Sequence, residues 1–326
     1  MNESRLDELR EEARRKGLVD APGVRPPGSP MPSAPAPHQA RDYYGQPLLK
    51  EPVWTWEIPA YFFVGGAAGA AAVLAAAAQL AGDREELVRD ARWVAAAGAA
   101  LSTPLLISDL GRPQRFLNML RVFKVRSPMS VGAWTLAAFG TATAAAAFAE
   151  ELRRRTDLPV TLIGNASAAL AAATGLVMAT YTGVLIGATA IPVWSKHVSL
   201  LPMHFGASAL GSAVSLLQLL GHDDDAALNA LGLAAAAFET WTGLTLEAEP
   251  SIASEPLRQG TTGITMRLSG FFSGPLPVVL RLAGLRWKRA RQAAAVSTLL
   301  GSLITRIAWV EAGKASARDP RAVMGD

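Results

Sequence analysis

Cysteine is absent from the 326 residues. The chain therefore forms no disulfide and holds no iron–sulfur cluster through thiolates, so any electron it handles must come from a partner or a bound organic molecule. Histidine is almost as scarce, with four copies at positions 38, 197, 204 and 222. Only His197 and His204 fall in or beside a long apolar segment, and two histidines seven apart on one helix cannot grip a haem from both faces. No haem is expected. Zinc or iron is not expected either, because no paired-carboxylate, HxxxH or ExxH spacing recurs on a predicted helix. Charge is the third shortage: charged residues make up 18% of the chain and hydrophobic ones 50%, and mean hydropathy is positive at +0.23. That balance exceeds what a soluble core needs and marks an integral membrane protein. The net charge of +4 does not signal nucleic-acid binding, since the basic residues sit in short blocks between apolar runs, as lipid-facing loops do.

What is present is a series of apolar segments long enough to span roughly 30 Å of hydrocarbon as helices. Eight are expected, all-α, at Trp54–Leu80, Ala91–Ser108, Met129–Ala149, Pro159–Ile186, His197–Leu220, Ala226–Leu246, Leu268–Leu285 and Ala290–Val310. The seventh is interrupted by Pro275 and Pro277 and is the weakest. Gly65, Gly66 and Gly69 give the first helix a small-residue face that a neighbour can approach closely. Ahead of the first segment, a charged stretch with no apolar core behind it reads as a solvated helix rather than a signal peptide, and the proline-rich run 21–37 as an extended tether. The expected organisation is a tail over 1–50, a first four-helix bundle over 51–196, a second over 197–312, and a short tail over 313–326.

The loop after the second segment carries far more fixed chemistry than a membrane turn requires. It reads SDLGRPQRF from Ser108 and SPMSVGAW from Ser127, with Asp109 at the helix end and Arg112 and Arg115 just beyond. With the run YYGQPLLKEPVWTW that begins at Tyr43, these strings resemble the NrfD family, the membrane subunits of polysulfide reductase and cytochrome c nitrite reductase systems. The likeness extends from Tyr43 to about Pro320. It implies a quinone pocket at one end of the first bundle, close to a partner's cluster, with a tyrosine from the fourth helix and polar groups from the first. It also implies a ferredoxin-like 4Fe–4S subunit and a molybdopterin catalytic subunit as partners. Where the family enzyme carries a histidine and asparagine pair in the first helix, this chain has Glu57.

The residues read alone point to the same end. An even number of spans puts both termini on one side, where Glu57, Asp109, Arg112, Tyr181, His204, Glu239 and Arg306 also fall, while the other side holds ordinary loop charge such as the GHDDD turn. A quinone, menaquinone or ubiquinone, needs an apolar cleft, hydrogen-bond partners for two carbonyl oxygens and a group that carries protons. Asp109, Glu57 and Tyr181 are the candidates for the reaction, and Tyr61, Arg112 and His204 for contact with the ring; a core role is the alternative for His204, and a helix-start acid for Glu57. Glu239 and Arg306 lie inside their segments, where a charge is costly unless paired or hydrated, so they are expected to face the interior as a proton path or a structural ion pair. A transporter or proton channel and a passive membrane anchor are the rival functions. The lysine and arginine balance does not decide which side the termini occupy.

Overall fold

A computed structural model describes residues 49–82, 84–110 and 114–324. The expected N-terminal tether and the loop residue Arg112 lie outside the described residues. What is described is helical throughout, with α1 (Glu57–Ala81), α2 (Glu85–Asp109), α3 (Arg115–Met119), α4 (Pro128–Arg155), α5 (Thr161–Gly187) and α6 (Pro192–Lys196) first. Then come α7 (Leu200–Leu217), a π turn (Gln218–His222), α8 (Ala226–Ala248), α9 (Glu255–Arg258), α10 (Gly260–Ser273), α11 (Pro275–Ala283), α12 (Lys288–Arg318) and α13 (Pro320–Met324). Each of the eight expected segments falls on helix. The seventh is two helices, because the chain breaks at Gly274 and restarts with Pro275 in the first turn of α11, where a missing N–H costs nothing. Helix α2 starts earlier than expected, with Glu85 and Glu86 in its first turn, where the macrodipole favours acids. Helix α12 runs on to Arg318, past the expected bundle end at 312.

Among the described residues five helices are long and apolar enough to cross a membrane: Glu57–Ala81, Pro128–Arg155, Thr161–Gly187, Leu200–His222 and Lys288–Arg318. The distribution of side-chain size supports a lipid surround. The interior is built largely from Ala, Gly, Ser and Thr, while Leu101, Phe148, Leu162, Leu176, Leu244 and Leu300 stand exposed on the long helices. Water would penalise such a surface, and lipid does not. Small interior residues let backbones meet: a Cβ on Gly69 would lie 2.4 Å from the carbonyl oxygen of Gly175, so α1 and α5 touch through glycine.

Helix α1 packs on α2 and α5, and α4 on α5 and α2; α8, α10 and α11 pack around α7 and α12, and α7 in turn lies against α1 and α5. A polar chain fastens one end of the first group. Gln79 donates to Asn165 at 2.8 Å, Arg92 donates to Gln79 at 2.8 Å and to Glu150 at 2.7 Å, and Arg153 donates to Glu150 at 3.0 Å. The GHDDD turn does more than carry loop charge. Gly221, at φ +114°, takes a left-handed conformation that suits glycine, and the turn then reaches two other helices, α2 and α12. His222 meets Asp90 at 2.9 Å, Arg84 pairs with Asp225 at 2.8 Å, and the buried Asp223 accepts from Lys288 at 3.1 Å and Arg291 at 3.2 Å. Burial alone would raise the Asp223 carboxyl, and hydrogen bonds from Lys288 and Arg291 outweigh it, holding the group below its ordinary range.

Candidate functional site

The entry to α1 and the end of α2 come together at Thr55. Its N–H donates to Asp109 Oδ1 at 3.3 Å, and its hydroxyl lies 3.2 Å from the same oxygen and in close contact with Glu57 Oε2. A threonine hydroxyl has one proton to give. The hydroxyl thus stands between the two carboxylates, and Glu57, Thr55 and Asp109 form one polar group where α1 begins and α2 ends. Glu57 occupies the first turn of α1, so the macrodipole also favours it there.

Behind Asp109 is a cavity of about 60 Å³ between α1, α2, α4 and α5, and Tyr61 and Tyr181 line it as well. Both tyrosines are buried, and among the described residues neither hydroxyl has a hydrogen-bond partner. Tyr181 holds its place because α4 carries glycine at 132: a Cβ there would lie 2.0 Å from the Tyr181 hydroxyl. Glu57 does not line this cavity and reaches it only through Thr55. Pockets that enclose a ring-sized ligand run to roughly 300 Å³ or more, so a ring enters here only if the wall gives. Met119 and Met129 belong to that wall, and methionine is the side chain that repacks most easily.

His204 is not part of this cavity. It points from α7 toward α8, with Nδ1 3.6 Å from Glu239 Oε1, and the rings of Phe62 and Phe205 stand between it and Tyr61. Contact between His204 and a ligand beside Asp109 is therefore not what the geometry offers. Arg306 and Glu239 are both buried, as expected, but they do not bond each other directly. Arg306 donates to the Phe205 carbonyl at 3.0 Å with its guanidinium carbon 3.9 Å above the Phe205 ring, and Glu239 Oε2 accepts from Ser273 at 2.9 Å. Both ring nitrogens of His204, Glu239 Oε1, and Nε and Nη1 of Arg306 are buried without a hydrogen-bond partner among the described residues. Such atoms are normally completed by water or ligand. A cavity of about 410 Å³, reaching His204 and Glu239, has the room.

Thr55, Gly132 and the two methionines escape a reading by residue type. Gly132 and Met129 had a signal in the SPMSVGAW string and Thr55 in YYGQPLLKEPVWTW, while Met119 lies outside the quoted strings.

The profile of the family described as Polysulphide reductase, NrfD, matches residues 47–222, more than half of the chain. The chain is a member of the NrfD family. A search among curated proteins finds no match. The matched span holds Glu57, Tyr61, Asp109, Arg112, Tyr181 and His204, and stops in the turn after α7, short of the expected Pro320. Glu239 and Arg306 lie beyond it. As an NrfD-family protein the chain is a membrane subunit of the kind found in polysulfide and nitrite reductase complexes, and without cysteine it holds no thiolate-bound cluster of its own.

Proposed function

We propose that this NrfD-family chain exchanges electrons and protons between the membrane quinone pool, menaquinone or ubiquinone, and a ferredoxin-like 4Fe–4S subunit that serves a molybdopterin catalytic subunit. The observation that carries the reading is that Asp109, Tyr61 and Tyr181, from three helices, line one cavity whose polar end reaches water through Thr55 and Glu57. In this reading eight segments span the bilayer as two four-helix bundles, the first over residues 51–196 and the second from 197 to the end of α12 at Arg318. Helix α3, whose Met119 lies in the cavity wall, closes the pocket on the side that faces the iron–sulfur partner.

The residues fit a quinone in donor set and fall short in volume, so opening of the Met119 and Met129 wall accompanies binding. A bound quinone supplies two-electron, two-proton chemistry. Tyr61 and Tyr181 offer their free hydroxyls to its oxygens, which orients the ring between α1 and α5. Asp109 passes protons between that ring and the Thr55–Glu57 pair, which hands them to the aqueous edge. The buried His204, Glu239 and Arg306 form a second proton-exchanging group, and their unpartnered atoms beside a cavity with room for water support proton movement through the second bundle.

Asp109→Asn keeps the size and removes the proton-carrying function. Quinone-dependent electron transfer by the intact complex should fall by about 10²-fold or more, with normal assembly. A variant that assembles and turns over at the parent rate would leave Asp109 a helix stop and favour the passive-anchor reading. Transport without any redox partner in the purified assembly would favour the carrier reading.

A further inference from the structure

At the far end of α8 and α11 from His204 lies another cavity of about 410 Å³, against the GHDDD turn. Arg281 of α11 lines it and is 4% exposed. Its guanidinium donates to Gln218 Oε1 at 2.9 Å and Ser215 Oγ at 3.3 Å, both neutral acceptors, and Nε has no partner. Among the described residues no carboxylate lies within ion-pair distance of it. The arginine is accommodated on purpose by the backbone: a Cβ on Gly232 would lie 2.3 Å from the guanidinium carbon. A buried cation without a counter-charge is costly, and within a membrane protein such a group marks a site or a pathway.

The surroundings specify the missing charge. The charged groups that line the cavity are Arg281, Arg291 and, at its exposed rim, Asp224. Arg291 is also bonded to Asp223, which Lys288 engages as well. Two cations face one acid in the wall, and the Lys288–Asp223 pair beside it adds no net charge, so one negative charge balances the set. Leu233, Leu282 and Leu285 make the rest of the wall apolar, and Leu285 and Trp287 are 79% and 67% exposed where α12, one of the candidate membrane spans, begins with Lys288. Exposed leucine, tryptophan and lysine together at a span's start are the marks of the lipid–water boundary.

We propose that this cavity binds an anionic glycerophospholipid carrying one phosphodiester charge, of the phosphatidylglycerol type. Its phosphate takes charge-assisted hydrogen bonds from Arg281, an acyl chain lies along Leu233, Leu282 and Leu285, and Asp224 at the rim accepts from the headgroup hydroxyls while repelling a second negative charge. Inorganic phosphate shares the anionic chemistry and lacks the chain.

The test uses the full chain in its complex, stripped of lipid in a neutral detergent, then given phosphatidylglycerol, phosphatidylcholine or inorganic phosphate. Native mass spectrometry and thermal unfolding are the two readouts. Phosphatidylglycerol should leave one retained adduct per chain and raise the melting temperature, and the other two should not. Arg281→Gln should weaken phosphatidylglycerol binding by at least about tenfold. Because Arg281 is buried and its variant can fail to fold, Leu285→Glu serves beside it: that position is exposed, and a carboxylate at the mouth should repel the headgroup and abolish the adduct. Equal protection by phosphatidylcholine, equal protection by inorganic phosphate, or an undiminished phosphatidylglycerol adduct in either folded variant overturns the proposal.

Discussion

Replacing Gly132 by alanine is a change of one methyl group, and the structure gives its size. The new Cβ would sit 2.0 Å from the Tyr181 hydroxyl and ring carbon and 2.5 Å from a second ring carbon. Ordinary carbon contacts lie at about 3.5–4.0 Å, so the tyrosine ring must retreat by roughly 1.5 Å or α4 and α5 must separate. Overpacking of this kind costs about 1–3 kcal/mol, which should show as a lower melting temperature without loss of the fold. A displacement of about 1 Å in a positioning group costs on the order of 10² in rate. The assay is steady-state oxidation of a soluble quinol analogue by the intact complex, with kcat and KM separated, alongside Tyr181→Phe and the double variant. If Tyr181 acts through its hydroxyl, the alanine variant already forfeits that contact, and adding Tyr181→Phe changes the rate little further. Full activity of Gly132→Ala in a normally assembled complex would refute the claim that Tyr181 must lie where α4 holds it.

Other perturbations test the frame that positions the pocket. Gly69→Ala drives a methyl against the backbone oxygen of Gly175, which cannot swing away, so it should destabilise by about 1–3 kcal/mol. Gly140→Ala on α4, with nothing within 4 Å, should be neutral or stabilise by up to about 1 kcal/mol through helix propensity; equal melting temperatures for the two would contradict the close approach of α1 and α5. Asp223→Asn loses charge-assisted bonds from Lys288 and Arg291, at a cost of about 2 kcal/mol after allowing for the exposed lysine. Its native carboxyl is held below the ordinary range, so an unfolded chain takes up this proton first as pH falls. The contribution is complete above about pH 4 and is lost as pH falls through the lowered native value, so wild type and Asn variant should converge in melting temperature at low pH.

Much of the candidate site was legible because it depends on where helices end. Counting apolar segments places Asp109 at the close of α2 and Glu57 at the start of α1, and any antiparallel arrangement of adjacent helices brings those ends together. The break before α11 was legible for a similar reason, since Pro275 acts on its own backbone whatever surrounds it. Side-chain direction was not legible. His204 sits at the expected depth, yet the rotation of α7 turns it to Glu239 and away from Tyr61, and low-contrast Ala, Gly and Leu helices carry little periodic signal to fix that rotation. Thr55 went unmarked because its role comes from joining its neighbour Glu57 to Asp109, which is distant in sequence, and the GHDDD turn looked like loop charge because its partners Asp90, Lys288 and Arg291 lie on other helices.

The central claim is that the quinone ring reacts beside Asp109, Tyr61 and Tyr181, and a photoreactive quinone analogue tests it most directly. After illumination of the intact complex and peptide mapping by mass spectrometry, the label is predicted on the segments around Trp54–Phe62 and Leu106–Met129, suppressed by excess native quinol. Labelling confined to the walls of the cavity beside His204 and Glu239, around Gly243 to Leu257 and Met266 to Phe271, would contradict it.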